Sequence, residues 1–533
     1  MRKYVSYFKK NALLCGILIV TAFYIGILFL LNIYALDNNL NSEVAFEIIF
    51  ARQVRRDHTL FPVRFFYGYE LSALRPAFLA AVLDKLFINN AILSYAWALN
   101  ITLILLIISL GYLLRGLNLQ WLEIGIGVLA WLSVPAYMSN AYVQYLYNGY
   151  FGFYTIVIFL ILGMYVRLDR LSNKKIFIYM VLLGIPSFIF GLMGARMLQM
   201  IYLPLFLYEM VCLGINIWQK NKVTSEIKRI IFSTGLMTAN VAGFVAFTFF
   251  YSDKFIFNLV PSEMSFLPPE RIHDSVSETL AQLISAMGAY FGSDIVSGKG
   301  LLYLATMTIA VIIITATVLI IKYRYYSATP CIACLSILIT FAICSLTWWK
   351  VMDRYFMMYS VLLAIISALI IRFLKEKQQN FYIIFMAICL IAVALGNIRE
   401  TYRPMMQKRN ESTYADDIIV CLRANDIRNC YGLSIGLDIG CRTNFEIDSA
   451  YVFYDEEQNL IYFGSMSSYD IFDVSRAGER SALLVSNSDY EKYGEEWKTI
   501  DYFQDVESFV DLGNYKVYLF NYNPFVDKQH MFD

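Results

Sequence analysis

Long apolar runs, separated by short polar segments, fill the first 397 residues. Eleven of these runs approach the ~20 residues that an α-helix needs to cross a bilayer core. They lie near residues 12–35, 91–113, 121–138, 151–166, 176–193, 197–216, 230–251, 301–321, 330–348, 356–371 and 381–396. This pattern excludes a soluble fold and predicts a polytopic α-helical membrane protein of about 11 spans, the first of them a retained anchor.

A second body follows the spans. Residues 398–533 carry a net charge of −11, whereas residues 1–397 carry +12. The acidic segment alternates turns with short apolar runs, which are Tyr431–Ile435, Tyr451–Tyr454, Leu460–Phe463, Ala482–Val485 and Tyr515–Phe520. We therefore predict a transmembrane domain at 1–397 and a soluble α/β or α+β domain at 398–533.

Basic residues in the short loops predict the orientation. One set of alternating loops holds 18 lysines and arginines, and the opposite set holds 12 in loops about twice as long. Because cytoplasmic loops are enriched in Lys and Arg, we expect a cytoplasmic amino terminus and an extracytoplasmic C-terminal domain in a multi-pass plasma-membrane protein. Loops 37–90 and 252–300 then also lie outside.

The first outer loop carries a predicted helix with two carboxylates. Asn41 is a good N-cap, and Glu43 in the first turn suits the helix dipole. Glu47 lies four residues further on, so both carboxylates share one helix face, where repulsion raises the proton affinity of one of them. The pair could be a poised base or a metal clasp, and an ordinary solvated helix face is the alternative.

The second outer loop contains Pro268-Pro269 and then Ser275-x-x-Glu278, a capping-box pattern that predicts a helix start at Ser275. The apolar residues Val276, Leu280, Leu283, Ile284, Met287 and Phe291 fall on one face of this helix. Such a helix either lies in the membrane interface or packs on neighbouring spans.

Two arginines stand at outer ends of predicted spans. Arg196 follows Gly191-Leu192-Met193-Gly194-Ala195, and a cation at this depth requires a partner such as an anionic ligand or lipid. Arg354 lies in Trp348-Trp349-Lys350-Val351-Met352-Asp353-Arg354, where pairing with Asp353 is the simpler explanation.

Histidines and cysteines give no familiar metal spacing. Cys331-x-x-Cys334 falls within a predicted span, where cysteine is an ordinary small apolar residue. Cys421, Cys430 and Cys441 lie in the acidic domain, so one disulfide with one remaining thiol is an option, and the sequence does not select the pair.

An anchor span, an acidic outer loop, many further spans and a soluble outer domain together resemble the GT-C class of membrane glycosyltransferases. The local similarity runs through Ser42-Glu43-Val44-Ala45-Phe46-Glu47, Leu60-Phe61-Pro62 and Tyr67-x-Tyr69-Glu70-Leu71. It is similar to the first loop of polyprenyl-phosphate-sugar-dependent transferases and to uncharacterised membrane proteins of Gram-positive bacteria. Ser42 departs from the pattern, because it stands where the class commonly has the first of two acids.

The resemblance implies transfer of a sugar, as by a hexosyltransferase, from an undecaprenyl-phosphate-linked donor to a hydroxyl of a cell-envelope glycan or lipid at the outer membrane face. Glu43, or else Asp37 or Glu47, would be the general base. Arg196, Arg354 and Arg75, the last beside a predicted helix start at Pro76, would bind the donor phosphate. A divalent metal, Mg²⁺ or Mn²⁺, is an option, and we expect membrane lipids but no nucleic acid as further partners.

Two other functions fit the same features. A flippase or carrier for a lipid-linked saccharide would also need interfacial arginines, although the chain has no clear internal repeat. A polysaccharide polymerase or ligase would use a lipid diphosphate donor in place of a monophosphate. The donor sugar, the acceptor and the stereochemistry are not encoded in any pattern that we recognise.

Overall fold

In the computed structural model, the described residues are 12–67, 70–133, 138–221, 223–257, 265–288, 296–322, 328–348, 351–408, 413–433, 435–455, 460–463, 468–493 and 506–526. Of the residues named in the sequence analysis, Tyr69, Phe291, Trp349 and Lys350 lie outside this set, as do six of the basic loop residues counted there: Arg2, Lys3, Lys9, Lys10, Lys222 and Arg324.

Within the described residues, nine helices are long and apolar enough to cross a membrane. They are Ala12–Ala35, Ala91–Gly116, Asn173–Leu192, Leu198–Trp218, Thr224–Tyr251, Gly298–Lys322, Ala328–Leu346, Asp353–Glu376 and Asn380–Gln407. The shorter apolar helices Trp121–Ser133 and Gly152–Tyr165 match the two remaining predicted segments. The multi-pass helical class is thus confirmed, whereas the number of spans and their orientation remain predictions.

Exposed apolar side chains on these helices indicate a lipid solvent. On helix Asn173–Leu192, Phe177 is 66% exposed and Ile185 is 58% exposed. A water-soluble protein rarely presents such a continuous apolar surface. The helix within Asp353–Glu376 is instead mostly buried, so it lies inside the helix bundle.

Two spans approach each other closely through glycine. A Cβ atom at Gly191 would collide with the backbone carbonyl of Asn240, and one at Gly243 would collide with the carbonyl of Phe188. The Asn240 side chain donates a hydrogen bond to the Ser187 carbonyl at 2.9 Å. Small residues at such crossings allow the backbones to pack tightly, which is how helices associate where lipid replaces water.

The chain forms two compact units. The first comprises Met1–Leu31, Asn100–Phe249 and Val260–Met406, and the second comprises Asn32–Leu99, Phe250–Leu259 and Gln407–Asp533. The second unit therefore joins loop 37–90 to the acidic C-terminal segment. The boundary predicted at residue 398 separates a membrane-embedded part from a soluble part, whereas the two units are defined by contacts between residues. The predicted boundary therefore remains a prediction.

The helices of the second unit that matter below are α1 (Ser42–Asp57), α2 (Pro76–Leu83), α3 (Tyr414–Ala424) and α4 (Asp438–Arg442). Its strands are β1 (Phe66–Tyr67), β2 (Ile256–Phe257), β3 (Asn429–Leu433), β4 (Asp448–Asp455), β5 (Leu460–Phe463), β6 (Ser481–Ser486), β7 (Ser508–Asp511) and β8 (Tyr515–Phe520). β1 and β2 form a short parallel pair.

The other six strands form one mixed sheet in the order β5-β4-β3-β6-β8-β7. β3 lies parallel to both β4 and β6, and the outer pairs are antiparallel. All five apolar runs of the acidic segment overlap strands of this sheet, and those on β3, β4, β6 and β8 supply side chains to its buried faces. One face is covered by α3 and α4, and the residues packed there include Ile418, Leu422, Ile439, Leu484 and Val517.

Helix α1 begins where the sequence predicts. Asn41 is its N-cap, and its side chain accepts a hydrogen bond from the Val44 amide at 3.0 Å. The helix ends at His58, which adopts a left-handed conformation. Helix α2 likewise begins at Pro76, as predicted, because proline is favoured in the first turn.

The start predicted at Ser275 is wrong. The helix runs from Pro269 to Ala286, and Pro269 rather than Ser275 opens it. Ser275 lies inside the helix and donates a hydrogen bond to the Cys344 carbonyl at 3.2 Å. The helix therefore packs against helix Ala328–Leu346, the second of the two environments considered for it.

Candidate functional site

The three candidate carboxylates lie at the start of α1. Asp37 is in a single 3₁₀ turn before the helix, Glu43 is in its first turn, and Glu47 is one turn further on. Glu43 is half-buried, whereas the Glu47 residue is only 1% exposed. The shared helix face thus holds two carboxylates in unlike surroundings, and each can have a separate role.

Glu47 is bound by Arg75, which the sequence analysis proposed as a ligand of the donor phosphate. Arg75 Nη1 donates to Glu47 Oε1 at 2.8 Å, and Arg75 Nη2 donates to Glu70 Oε1 at 3.1 Å. Arg75 is itself 3% exposed. One guanidinium therefore bridges two carboxylates within the second unit, a planar geometry that suits arginine.

Burial raises the pKa of the Glu47 carboxyl, since removing water disfavours its charged form. Arg75 and the backbone of Ala77, at the start of α2, oppose this shift, while Glu43 adds to it. Desolvation is therefore the main cause of the raised pKa of Glu47, and the predicted repulsion from Glu43 is a minor cause.

Asp37 is bound by the C-terminal part of the second unit. Arg442 Nη1 donates to Asp37 Oδ1 at 2.9 Å, and Arg442 Nε donates to Asp438 Oδ2 at 2.7 Å. Asp438 also accepts a hydrogen bond from the Tyr414 hydroxyl. The Ser42 hydroxyl is hydrogen-bonded to the side chain of Tyr451 in β4.

The basic half of α1 meets acidic residues that the sequence analysis did not single out. Arg52 pairs with Asp448, and Asp448 also accepts from Arg476 at 2.8 Å. Arg56 and Gln53 contact Asp470 at 2.6 and 3.2 Å. The cavity among these side chains measures about 20 Å³, room for one water molecule, so this is a packed contact rather than a ligand pocket.

In the first unit, Arg196 lies against aromatic rings. The chain turns sharply after helix Asn173–Leu192 at Gly194, whose φ of 125° is a glycine conformation. Arg196 Nη1 then donates to the Tyr150 hydroxyl at 3.0 Å. Its guanidinium carbon stands 4.9 Å from the centre of the Phe151 ring and 5.9 Å from that of Tyr154. The cation is half-buried and stabilised by ring faces.

Arg354 lies in the first unit as well, in the 3₁₀ turn Asp353–Phe356 that precedes helix Met358–Glu376. The turn is fixed from helix Pro269–Ala286. Gln282 Oε1 accepts from the Asp353 amide at 3.0 Å, and the Ser285 hydroxyl donates to Asp353 Oδ2 at 3.3 Å. Arg354 is half-buried at the start of its helix.

The structure thus brings together Glu47 with Arg75, and Asp37 with Arg442, in the second unit. Arg196 and Arg354 belong to the first unit. The sequence analysis assigned no site role to Glu70, Arg442, Tyr451 or Tyr150. A sequence signal existed for the contacts of Arg52 and Arg56 with Asp448 and Asp470, because residues 398–533 carry a net negative charge.

Metal and disulfide chemistry were tested on the residues present. In the described part of the chain, no group of three or more His, Cys, Asp or Glu side chains is arranged to hold a metal ion. A metal site at the carboxylates of α1 stays a prediction, with Glu43 and Glu47 as its candidate ligands. Cys421, Cys430 and Cys441, all within the described residues, are free thiols.

The helical spans and the six-stranded sheet make up a multi-pass membrane fold. Two solved structures share it: ArnT from Cupriavidus metallidurans bound to undecaprenyl phosphate and the same protein in the apo state. Each is 11% identical and covers 95% of this chain and 99% of ArnT, with TM-scores of 0.56 and 0.57. No protein-family model and no curated protein sequence matches the chain. At this identity the likeness establishes the fold alone.

Proposed function

We propose that this protein is a membrane glycosyltransferase that takes its sugar from an undecaprenyl-phosphate-linked donor. The observation that carries the proposal is the fold that 95% of this chain shares with ArnT, whose crystal structure contains bound undecaprenyl phosphate. The acceptor in this proposal is a hydroxyl of a cell-envelope glycan or lipid. The charge bias of the loops supports transfer at the outer face of the plasma membrane.

In the proposed reaction, the acceptor oxygen forms a bond to the anomeric carbon of the sugar. The bond between that carbon and the phosphate oxygen breaks, and the lipid phosphate leaves with the electron pair. The acceptor proton passes to a carboxylate, because an alcohol is a weak nucleophile until its proton is accepted. Glu43, half-buried in the first turn of α1, is our candidate base, and Asp37 and Glu47 are the alternatives.

Arg196 and Arg354 are the proposed ligands of the leaving phosphate. An arginine can donate two parallel hydrogen bonds to phosphate oxygens and stabilise the charge that develops there. The aromatic rings around Arg196 hold its guanidinium without neutralising it. Arg75, the third candidate, already donates from both terminal nitrogens, so we rank it behind the other two.

The test starts with the lipids that copurify with the protein, identified by mass spectrometry. The purified protein is then incubated with synthetic polyprenyl-phosphate sugars and candidate acceptors. We expect product with the wild type and at least about a hundredfold less with Glu43→Gln, the scale of a lost general base. Glu446→Gln, at an exposed carboxylate of the second unit, is the matched control and should retain activity.

Three results would overturn the proposal. Full transfer by the Glu43→Gln variant would remove the assigned base. Movement of lipid-linked sugar across vesicle membranes without any transfer product would identify a carrier. Consumption of a diphosphate-linked donor only would identify a polymerase or ligase.

A further inference from the structure

The start of α1 is held from the C-terminal part of the second unit at several points. Arg442 binds Asp37 at 2.9 Å, and the Asn38 side chain donates to the Lys408 carbonyl at 2.5 Å. Ser42 is hydrogen-bonded to Tyr451. Helix α4 also packs directly on α1. These contacts fix the residues that precede Glu43, and Cys441 Sγ of α4 donates to the Ala45 carbonyl, which follows it, at 3.7 Å.

Arg442 is itself rigidly placed. Its side chain is 8% exposed, and its Nε donates to Asp438 in the same short helix, α4. Asp438 is 4% exposed and takes a second hydrogen bond from Tyr414 of α3. The Arg442 guanidinium thus links helix α4, which covers the sheet, to the turn at Asp37.

We infer that Arg442 is a positioning residue that sets the place of Glu43. This inference rests on the proposed function, in which Glu43 accepts the proton. A base displaced by about 1 Å can lose on the order of a hundredfold in rate. Arg442 contacts no donor phosphate in this scheme, so its loss should act on the chemical step.

The test uses the full-length protein with Arg442→Gln and Asp37→Asn, alone and together. Arg423→Gln is the matched control, because Arg423 pairs with Glu446 on the same sheet domain but is about half exposed. Hydrogen exchange of residues 37–47 reports the position of the segment without requiring transfer. Donor kcat and KM report the consequence for the reaction.

We expect Arg442→Gln to increase exchange at 37–47 and to lower kcat by about tenfold or more, with KM for the donor changed less than about threefold. Asp37→Asn should have a smaller effect of the same kind, and the double variant should be no worse than Arg442→Gln. Arg442→Lys should recover part of kcat, since it keeps the charge but not the fork.

Unchanged exchange and unchanged kcat in Arg442→Gln would overturn the inference. Equal losses in Arg423→Gln would also overturn it, because they would indicate general damage to the domain. If Arg442→Gln does not fold, Asp37→Asn decides, as its side chain is 58% exposed and its removal leaves Arg442 bound to Asp438. Absence of transfer by the wild type would refute the proposed function, while the exchange measurement would still test the contact.

Discussion

Arg75 and Glu47 form a buried ion pair 2.8 Å long across 28 residues of the first outer loop. Both side chains are at least 97% buried, and Arg75 shares its charge with Glu70. Breaking a buried pair leaves an uncompensated charge, which commonly costs about 3–5 kcal/mol.

Arg75→Gln should therefore lower the stability of the purified protein more than Glu47→Gln does. The first variant leaves two carboxylates without their cation, whereas in the second Arg75 keeps Glu70. The double variant should lose less than the sum of the two single losses. Thermal unfolding in one detergent measures all three, and Arg423→Gln, at an exposed pair, should shift the melting temperature little. Additive losses would show that the pair is not coupled.

The stability difference between wild type and Glu47→Gln should depend on pH. The folded pKa of Glu47 lies above its ordinary value of 4.5, so the folded protein holds this proton more tightly than the unfolded chain. The resulting stability is fully present below pH 4.5 and is lost as the pH rises through the folded pKa. The wild type should thus lose stability relative to the variant as the pH rises above 4.5, by at most about 1.4 kcal/mol per pH unit.

Melting temperatures of both proteins over that pH range check the sign. Glu446→Gln serves as the control, because its carboxylate is half exposed, and its profile should parallel that of the wild type. A difference between wild type and Glu47→Gln that grows in favour of the wild type with rising pH would contradict the assignment.

The contact between the two glycine-bearing spans predicts a third result. Gly191→Ala and Gly243→Ala should each lower the melting temperature, because the new methyl group meets a backbone carbonyl that cannot move aside easily. Gly184→Ala is the matched control on the same helix as Gly191, since nothing lies within 4 Å of its Cβ position. Equal effects at Gly184 and Gly191 would attribute the change to helix propensity instead.

Arg196 should govern the affinity for polyprenyl phosphate. Arg196→Gln is expected to weaken binding about tenfold or more, the scale of a hydrogen bond to a charged group. Tyr150→Phe, which removes only the hydroxyl that orients Arg196, should weaken it less. Binding is measured by titrating delipidated protein with undecaprenyl phosphate. Arg170→Gln, at an exposed arginine bonded to Asn118, should bind like the wild type.

An unchanged dissociation constant in Arg196→Gln would remove this arginine from the proposed site. The melting temperature of each variant is measured as well, because a cation packed on three aromatic rings also contributes to folding. A loss of affinity is assigned to the binding site only in a variant that keeps the wild-type melting temperature.

Local signals in the sequence predicted much of the local structure. The apolar runs predicted the helices because bilayer thickness fixes their length. Asn41 predicted the start of α1, and Pro76 the start of α2, because capping is a property of neighbouring residues. The same kind of signal failed at Ser275, where Pro269 supplied an earlier start.

Pairings over long sequence separations were not predictable in this way. Arg75 was assigned to phosphate because it stands beside a helix start, whereas its partners Glu47 and Glu70 depend on how the loop folds back. Arg442 lies 405 residues from Asp37, and no local pattern links them. The opposite net charges of the two regions indicated attraction, but they did not identify which arginine meets which carboxylate.

The second unit is assembled from three stretches of chain that synthesis separates widely in time. Strand β1 precedes its partner β2 by about 190 residues of chain, and α1 precedes α4 and β4 by a longer stretch still. While the ribosome threads the intervening spans into the bilayer, the carboxylates of α1 stand without Arg442, Tyr451 or Asp448. A chain that ends before the sheet has formed would thus carry Asp37 and Glu43 without the residues that hold the start of α1, whereas Glu47 would still have Arg75.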